Sequence, residues 1–138
     1  MEFNWIAIGF ATVAGIAVGS LWFGPRTFFP VWWKALGKSP EEQPGTSNMF
    51  AVFGLTALAV ITQAVILALV LNAVGMGGVD INWFTGLSTG ALLGVGFAAA
   101  PALSHKLFGG FRIWVWVLEA GQDIMSLAVM GAILGALN

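Results

Sequence analysis

Four apolar runs, over residues 5–24, 49–73, 81–104 and 113–137, leave this chain few ways to fold. Each is long enough to cross a hydrocarbon core of ~30 Å at ~1.5 Å of rise per residue. A backbone inside a bilayer has no water to bond, and single runs of this length satisfy their own polar groups only as helices. The expected fold is therefore all-α: an integral membrane four-helix bundle with a short interfacial helix after the first span, forming a single transmembrane domain over residues 1–138. Composition agrees, since 8% of the residues are charged and 59% hydrophobic, against roughly 25% charged in soluble domains.

Charge placement orders the spans. Arg26, Lys34 and Lys38 fall in the first connection and Lys106 and Arg112 in the third, while the second connection and both ends of the chain carry no cation. A four-span chain gathers all of these on one side, which the positive-inside rule makes cytoplasmic, so both termini are expected outside. The N-terminal Met-Glu-Phe-Asn-Trp is acidic where a signal peptide is basic, and its apolar run is too long for a signal core. The first run is therefore expected to be a retained span. The absence of cysteine removes disulfides, thiolate metal sites and thiol nucleophiles, and leaves the redox compartment open. A net charge of −1 supplies no field for nucleic acid.

Ala11, Gly15 and Gly19 in the first run, and Gly86, Gly90 and Gly94 in the third, recur every fourth residue. Such ridges let another helix approach closely. Four short helices enclose little interior, so the chain is expected to form a homo-oligomer through these ridges or to join a larger membrane assembly. Pro25 ends the first span, and Pro101 is placed to kink the third. Asn4-Trp5 and Asn82-Trp83 open the first and third runs alike, an echo that would suit parallel repeats, although chance likeness between glycine-rich spans is the simpler account.

The first connection interleaves rings with cations: Trp22, Phe23, Pro25, Trp32, Trp33 and Lys34. The preferred reading is an anchor in the headgroup layer that sets helix depth; the other is a headgroup or lipophilic-ligand site where the first span unwinds at Pro25. Ser39-Pro40-Glu41-Glu42 reads as a cap, a proline in the first helical position and acids in the first turn. Residues 43–48 read as the longest polar loop.

The last run holds the chemistry. Glu119, Gln122 and Asp123 lie inside an apolar span and share a helical face with Ser126, Met130 and, a heptad upstream of Glu119, Arg112. Carboxylates in a span are costly and rarely face lipid, so this face should meet protein or water. Glu119 and Asp123 are one turn apart and can share a proton and titrate as a coupled pair. The plainer reading pairs Glu119 with Arg112 or a neighbouring helix and leaves Asp123 neutral and hydrogen-bonded. At ~1.5 Å per residue Asp123 lies roughly 15 Å from the basic end, Glu119 roughly 9 Å, Thr56 roughly 10 Å and Gln63 roughly 21 Å. Thr56 and Gln63 share a face that could meet the acids, Gln63 by itself being more often interhelical glue than a ligand site. His105 at the boundary reads as an interfacial hydrogen-bonding residue. No metal site, cofactor site, nucleophile triad or phosphate loop can be assembled from these spacings.

A family resemblance covers most of the chain. Gly19-Ser-Leu-Trp22-Phe23-Gly-Pro25, then Phe28, Trp32, Lys34, Gly37 and Ser39-Pro-Glu41-Glu42, resembles the signature of the bacterial family called domain of unknown function 1761. Phe108-Gly-Gly110-Phe-Arg112, Glu119-Ala-Gly121 and Met130-Gly131-Ala-Ile-Leu-Gly135 resemble its ending. The chain departs from that pattern at Gln122, where an aromatic is expected, and at Glu119, where Asp or Asn is commoner. The resemblance implies a small four-span protein of the bacterial inner membrane and brings no activity with it.

Two function classes follow. The first is a non-catalytic binding, interaction or accessory subunit in the lipid bilayer. The second is a proton-coupled carrier in which Glu119 and Asp123 take the proton or a cation, Gln63 and Thr56 line the path, and Arg112 tunes the pair. A lipid-acting enzyme comes third, for want of a nucleophile and base at workable spacing.

Overall fold

The structure, a computed structural model, describes residues 2–43 and 48–138, so most of the loop expected over 43–48 lies outside it. Its helices are α1 (Trp5–Trp22), α2 (Phe29–Ala35), α3 (Met49–Met76), α4 (Trp83–Leu93), α5 (Ala100–Phe108) and α6 (Ile113–Ala136), with a π-helical turn, Gly94–Ala99, joining α4 to α5. Trp83–Phe108 is thus one continuous helical segment. Among the described residues four helices are long and apolar enough to cross a membrane, as the hydropathy predicts.

Local chemistry sets where these helices start. Asn4, Asn48 and Asn82 each cap a long helix, accepting from the N–H of Ala7 at 3.1 Å, of Ala51 at 3.1 Å, and of Phe84 and Thr85 at 3.0 and 3.1 Å. Each cap satisfies a donor that the first turn cannot. The repeated Asn-Trp pairs are two such starts. Asn4 Nδ2 also donates to the Leu137 carbonyl at 2.8 Å, tying α1 to the end of α6. Within the spans, hydroxyls bond back along their own helices: Thr12 to Ile8, Thr56 to Val52, Thr62 to Leu58 and Ser88 to Phe84, all at 2.7–2.8 Å. That leaves few hydroxyl groups to be satisfied by lipid.

The helix α6 is the hub, with α4 on one flank and α1 on the other. Against α4 the two backbones touch: a Cβ added at Gly86 would collide with the carbonyl of Gly131, at Gly90 with that of Leu127, and at Gly135 with that of Asn82. Against α1, Met130 fills the space over Gly15, the Gln122 amide lies over Gly19, and Trp22 lies over Gly121. Both small-residue ridges are therefore occupied within the chain. The sequence reading gave these ridges to self-association; in the structure they seat α6 of the same chain.

The remaining long helix, α3, is held at one end only. Ala64, Leu67 and Leu71 join Ala7, Ile8, Ala11, Met130 and Leu134 in the buried core. Residues 49–63, by contrast, are exposed except for partly covered Ala57 and Val60. Toward the end that carries the cations, α3 stands away from the hub and opens a cleft.

The third span bends where its sequence allows it. Gly94 and Gly96 carry no side chains, and Pro101 lacks the N–H that a regular helix would donate one turn back. The π-helical turn takes up this mismatch.

Candidate functional site at the basic end of the bundle

The polar residues of α6 fan out to three neighbours. Glu119 Oε2 is shielded from solvent and lies 3.0 Å from the ammonium of Lys106 on α5, both side chains being less than a third exposed. The directions of the two helices make this pair possible. Side chains lean toward the N-terminus of their own helix; α5 runs toward the basic end and α6 away from it, so Lys106 leans inward and Glu119 outward until they meet. Asp123, one turn further into the span, is within electrostatic reach of Glu119. It makes no hydrogen bond or ion pair among the described residues.

Gln122 faces the cleft. A cavity of about 540 Å³ between α1, α3 and α6 is lined by Ser20, Phe23, Phe53, Thr56, Val60 and Gln122. Thr56 and Gln122 thus meet across it. Gln63 does not, because it lines a separate groove of about 330 Å³ with Thr62, Phe97 and Leu127. The shared face of Thr56 and Gln63 is real on the helix, but α3 leans, so its two halves look onto different neighbours. Gln63 and Gln122, like Asp123, have no hydrogen-bond partner among the described residues.

Arg112 does not pair with the acids. It precedes the first residue of α6 and is exposed. The cation that meets Glu119 is Lys106, which the sequence reading leaves in a loop. Two indoles brace the same region: Trp22 Nε1 donates to the Leu118 carbonyl at 3.0 Å, and Trp116 Nε1 to the Ala99 carbonyl at 2.8 Å. Trp116 also escapes the sequence reading, since an indole in an apolar span carries no sign of which carbonyl it will find.

The aromatic residues form a second layer below this cluster. Trp22 packs against Phe28 with centroids 4.6 Å apart, Phe23 against Trp32 at 5.0 Å, and Phe29 stacks on Trp33 at 5.3 Å. The Trp32 indole N–H is buried without a partner among the described residues. Trp33 is itself buried and donates through Nε1 to the Ser39 carbonyl at 2.8 Å. Lys34 is exposed beside it, and Pro25 lies in the turn between α1 and α2. The Ser-Pro-Glu-Glu segment is one hydrogen-bonded turn, with Glu42 N–H donating to the Ser39 carbonyl at 3.1 Å.

Four apolar helices, an ion pair between α5 and α6, and a largely apolar cleft bearing a few polar groups at the cation-bearing end define a small multi-pass membrane protein. The chain belongs to the family described as "Protein of unknown function (DUF1761)", whose model matches residues 6–135. No curated protein and no solved structure matches it.

Proposed function

We propose that this protein is a non-catalytic binding or interaction subunit of the bacterial inner membrane, completed by another membrane helix that meets its intramembrane amides. The observation that carries this reading is the state of Gln63 and Gln122, two side-chain amides in membrane-length helices with no hydrogen-bond partner among the described residues. Each amide left in hydrocarbon costs free energy that a helix bearing a polar group recovers. The cleft at the half-detached end of α3 offers the place to meet Gln122, and the separate groove beside Phe97 and Leu127 a second place to meet Gln63, whether the partner is a second copy or a different protein.

The test is isolation of the full chain in native lipid nanodiscs, followed by cross-linking and mass measurement. Wild type is expected to carry a protein partner, and Gln63→Leu combined with Gln122→Leu to release it while the fold is retained. Isolation as a lone chain, with the double substitution raising stability, would overturn the reading.

A second reading, a proton-coupled carrier, is favoured by Asp123, a carboxyl without a partner among the described residues and one turn from the Lys106–Glu119 pair. Glu119→Gln and Asp123→Asn, singly and together, are to be compared for folded yield in detergent and for proton or solute flux in liposomes. Unchanged flux with lost stability rejects the carrier. Intact folding with lost flux rejects a purely structural role.

A further inference from the structure

A cavity of about 630 Å³ lies against α2, lined by Phe29, Pro30, Trp33, Lys34, Lys38 and Pro40. It is separate from the cleft beside Gln122. Its floor is rigid: Trp33 is 7% exposed, stacks on Phe29 with ring planes 20° apart, and is fixed through Nε1 to the Ser39 carbonyl at 2.8 Å.

Its two cations are positioned by the end of α2. Gly37 adopts a left-handed φ of 85°. Its N–H donates to the Lys34 carbonyl at 2.9 Å, and the Lys38 N–H donates to the Trp33 carbonyl at 3.2 Å. This is the paired bonding of a Schellman cap, which reverses the chain after the helix. The reversal brings Lys38 back over the helix it has left, with Nζ 5.3 Å from the Trp33 ring centroid. Lys34, one turn before Lys38 in the chain, lines the same hollow. Two lysines therefore border one concave aromatic surface at the cation-bearing end of the bundle, and no carboxylate-bearing residue is among the described residues that line it.

We infer that this cavity is a seat for the phosphate of an anionic phospholipid, with Lys34 and Lys38 as its two cationic contacts and the Trp33–Phe29 stack supporting the glycerol and upper acyl region. The chemistry is that of a phosphate monoanion meeting two point charges at an interface. Prolines at both rims and the fixed indole keep the hollow open, so binding orders little new chain. The lipid is preferred over a soluble phosphate because the floor is apolar and faces the headgroup layer, where an attached acyl chain can use it.

The experiment uses the full chain in mixed micelles, with native mass spectrometry counting retained lipid as phosphatidylglycerol or phosphatidylcholine is titrated in. Wild type is expected to retain one phosphatidylglycerol in preference to phosphatidylcholine. Lys34→Gln and Lys38→Gln are each expected to weaken that retention about fivefold, on the order of 1 kcal/mol for one cation at a membrane surface. Arg26→Gln, which removes a cation of the same end outside the cavity lining, should leave it unchanged, and Lys34→Arg should restore it. Equal retention of the two lipids, or an equal loss in Arg26→Gln, would reduce the site to surface charge or simple anchoring and overturn the inference. Displacement of the lipid by millimolar inorganic phosphate would assign the seat to a soluble phosphate compound and overturn it as well. Circular dichroism and elution volume in detergent confirm folding of each variant, which the exposed positions of both lysines make attainable.

Discussion

Lys106 and Glu119 form a pair whose members depend on one another. Both are largely covered, and their charged atoms lie 3.0 Å apart, in direct ionic contact. Breaking such a pair by removing one partner strands the other charge, whereas removing both avoids that penalty. Lys106→Met is therefore expected to lower stability in detergent by roughly 1–3 kcal/mol, and Lys106→Met with Glu119→Gln by distinctly less than the sum of the two single changes. Thermal unfolding of the four proteins of this cycle measures the coupling, and strict additivity would show that the pair contributes nothing. His105, next in the chain to Lys106, is exposed and takes no part.

At the scale of the element, the contact of α4 with α6 rests on the absence of side chains. An alanine at Gly90 would drive its methyl into the Leu127 carbonyl, and backbone cannot yield as a rotamer can. Gly90→Ala is expected to force the helices apart and cost about 1–3 kcal/mol, the usual penalty of overpacking. Gly54→Ala on α3, where nothing lies within 4 Å, should be neutral or slightly stabilising, because Ala is the better helix former by about 1 kcal/mol. Equal effects at the two positions, measured by unfolding in detergent, would contradict close packing. The four-residue glycine period was legible from the sequence as a packing surface, and the four spans were legible as elements, because hydropathy and spacing act within one helix. What those surfaces pack against was not legible, since two glycine ridges are equally able to seat a neighbour inside or outside the chain. The π-helical turn was not legible either. It adds a residue to one turn and so rotates everything after Ala99 by roughly 100°, which decides that Lys106 faces α6. From sequence Arg112 is the nearer cation to Glu119 on the same helix, and only the path of the third span reveals the better-placed one.

The whole molecule is electrically lopsided. Arg26 and Lys38 lie beyond the end of α1, and Lys106 and Arg112 flank the α5–α6 turn, whereas the opposite end carries Glu2 and Asp80. Short basic connections resist translocation, while acidic ones have little influence on orientation. The cation-bearing end, with the Lys106–Glu119 pair, the cleft beside Gln122 and the α2 cavity, is therefore expected in the cytoplasm. Because the chain has no cysteine, single cysteines report on this directly. Glu41→Cys and Val79→Cys both occupy exposed connections at opposite ends. In intact cells a membrane-impermeant maleimide should label Val79→Cys at once and Glu41→Cys only after permeabilisation. The reverse pattern would place the ion pair and both cavities on the outer side, where the proposed headgroup seat would have to draw on the other leaflet; equal labelling of both would mean that the chain inserts in two orientations and that its charge asymmetry is too weak to choose between them.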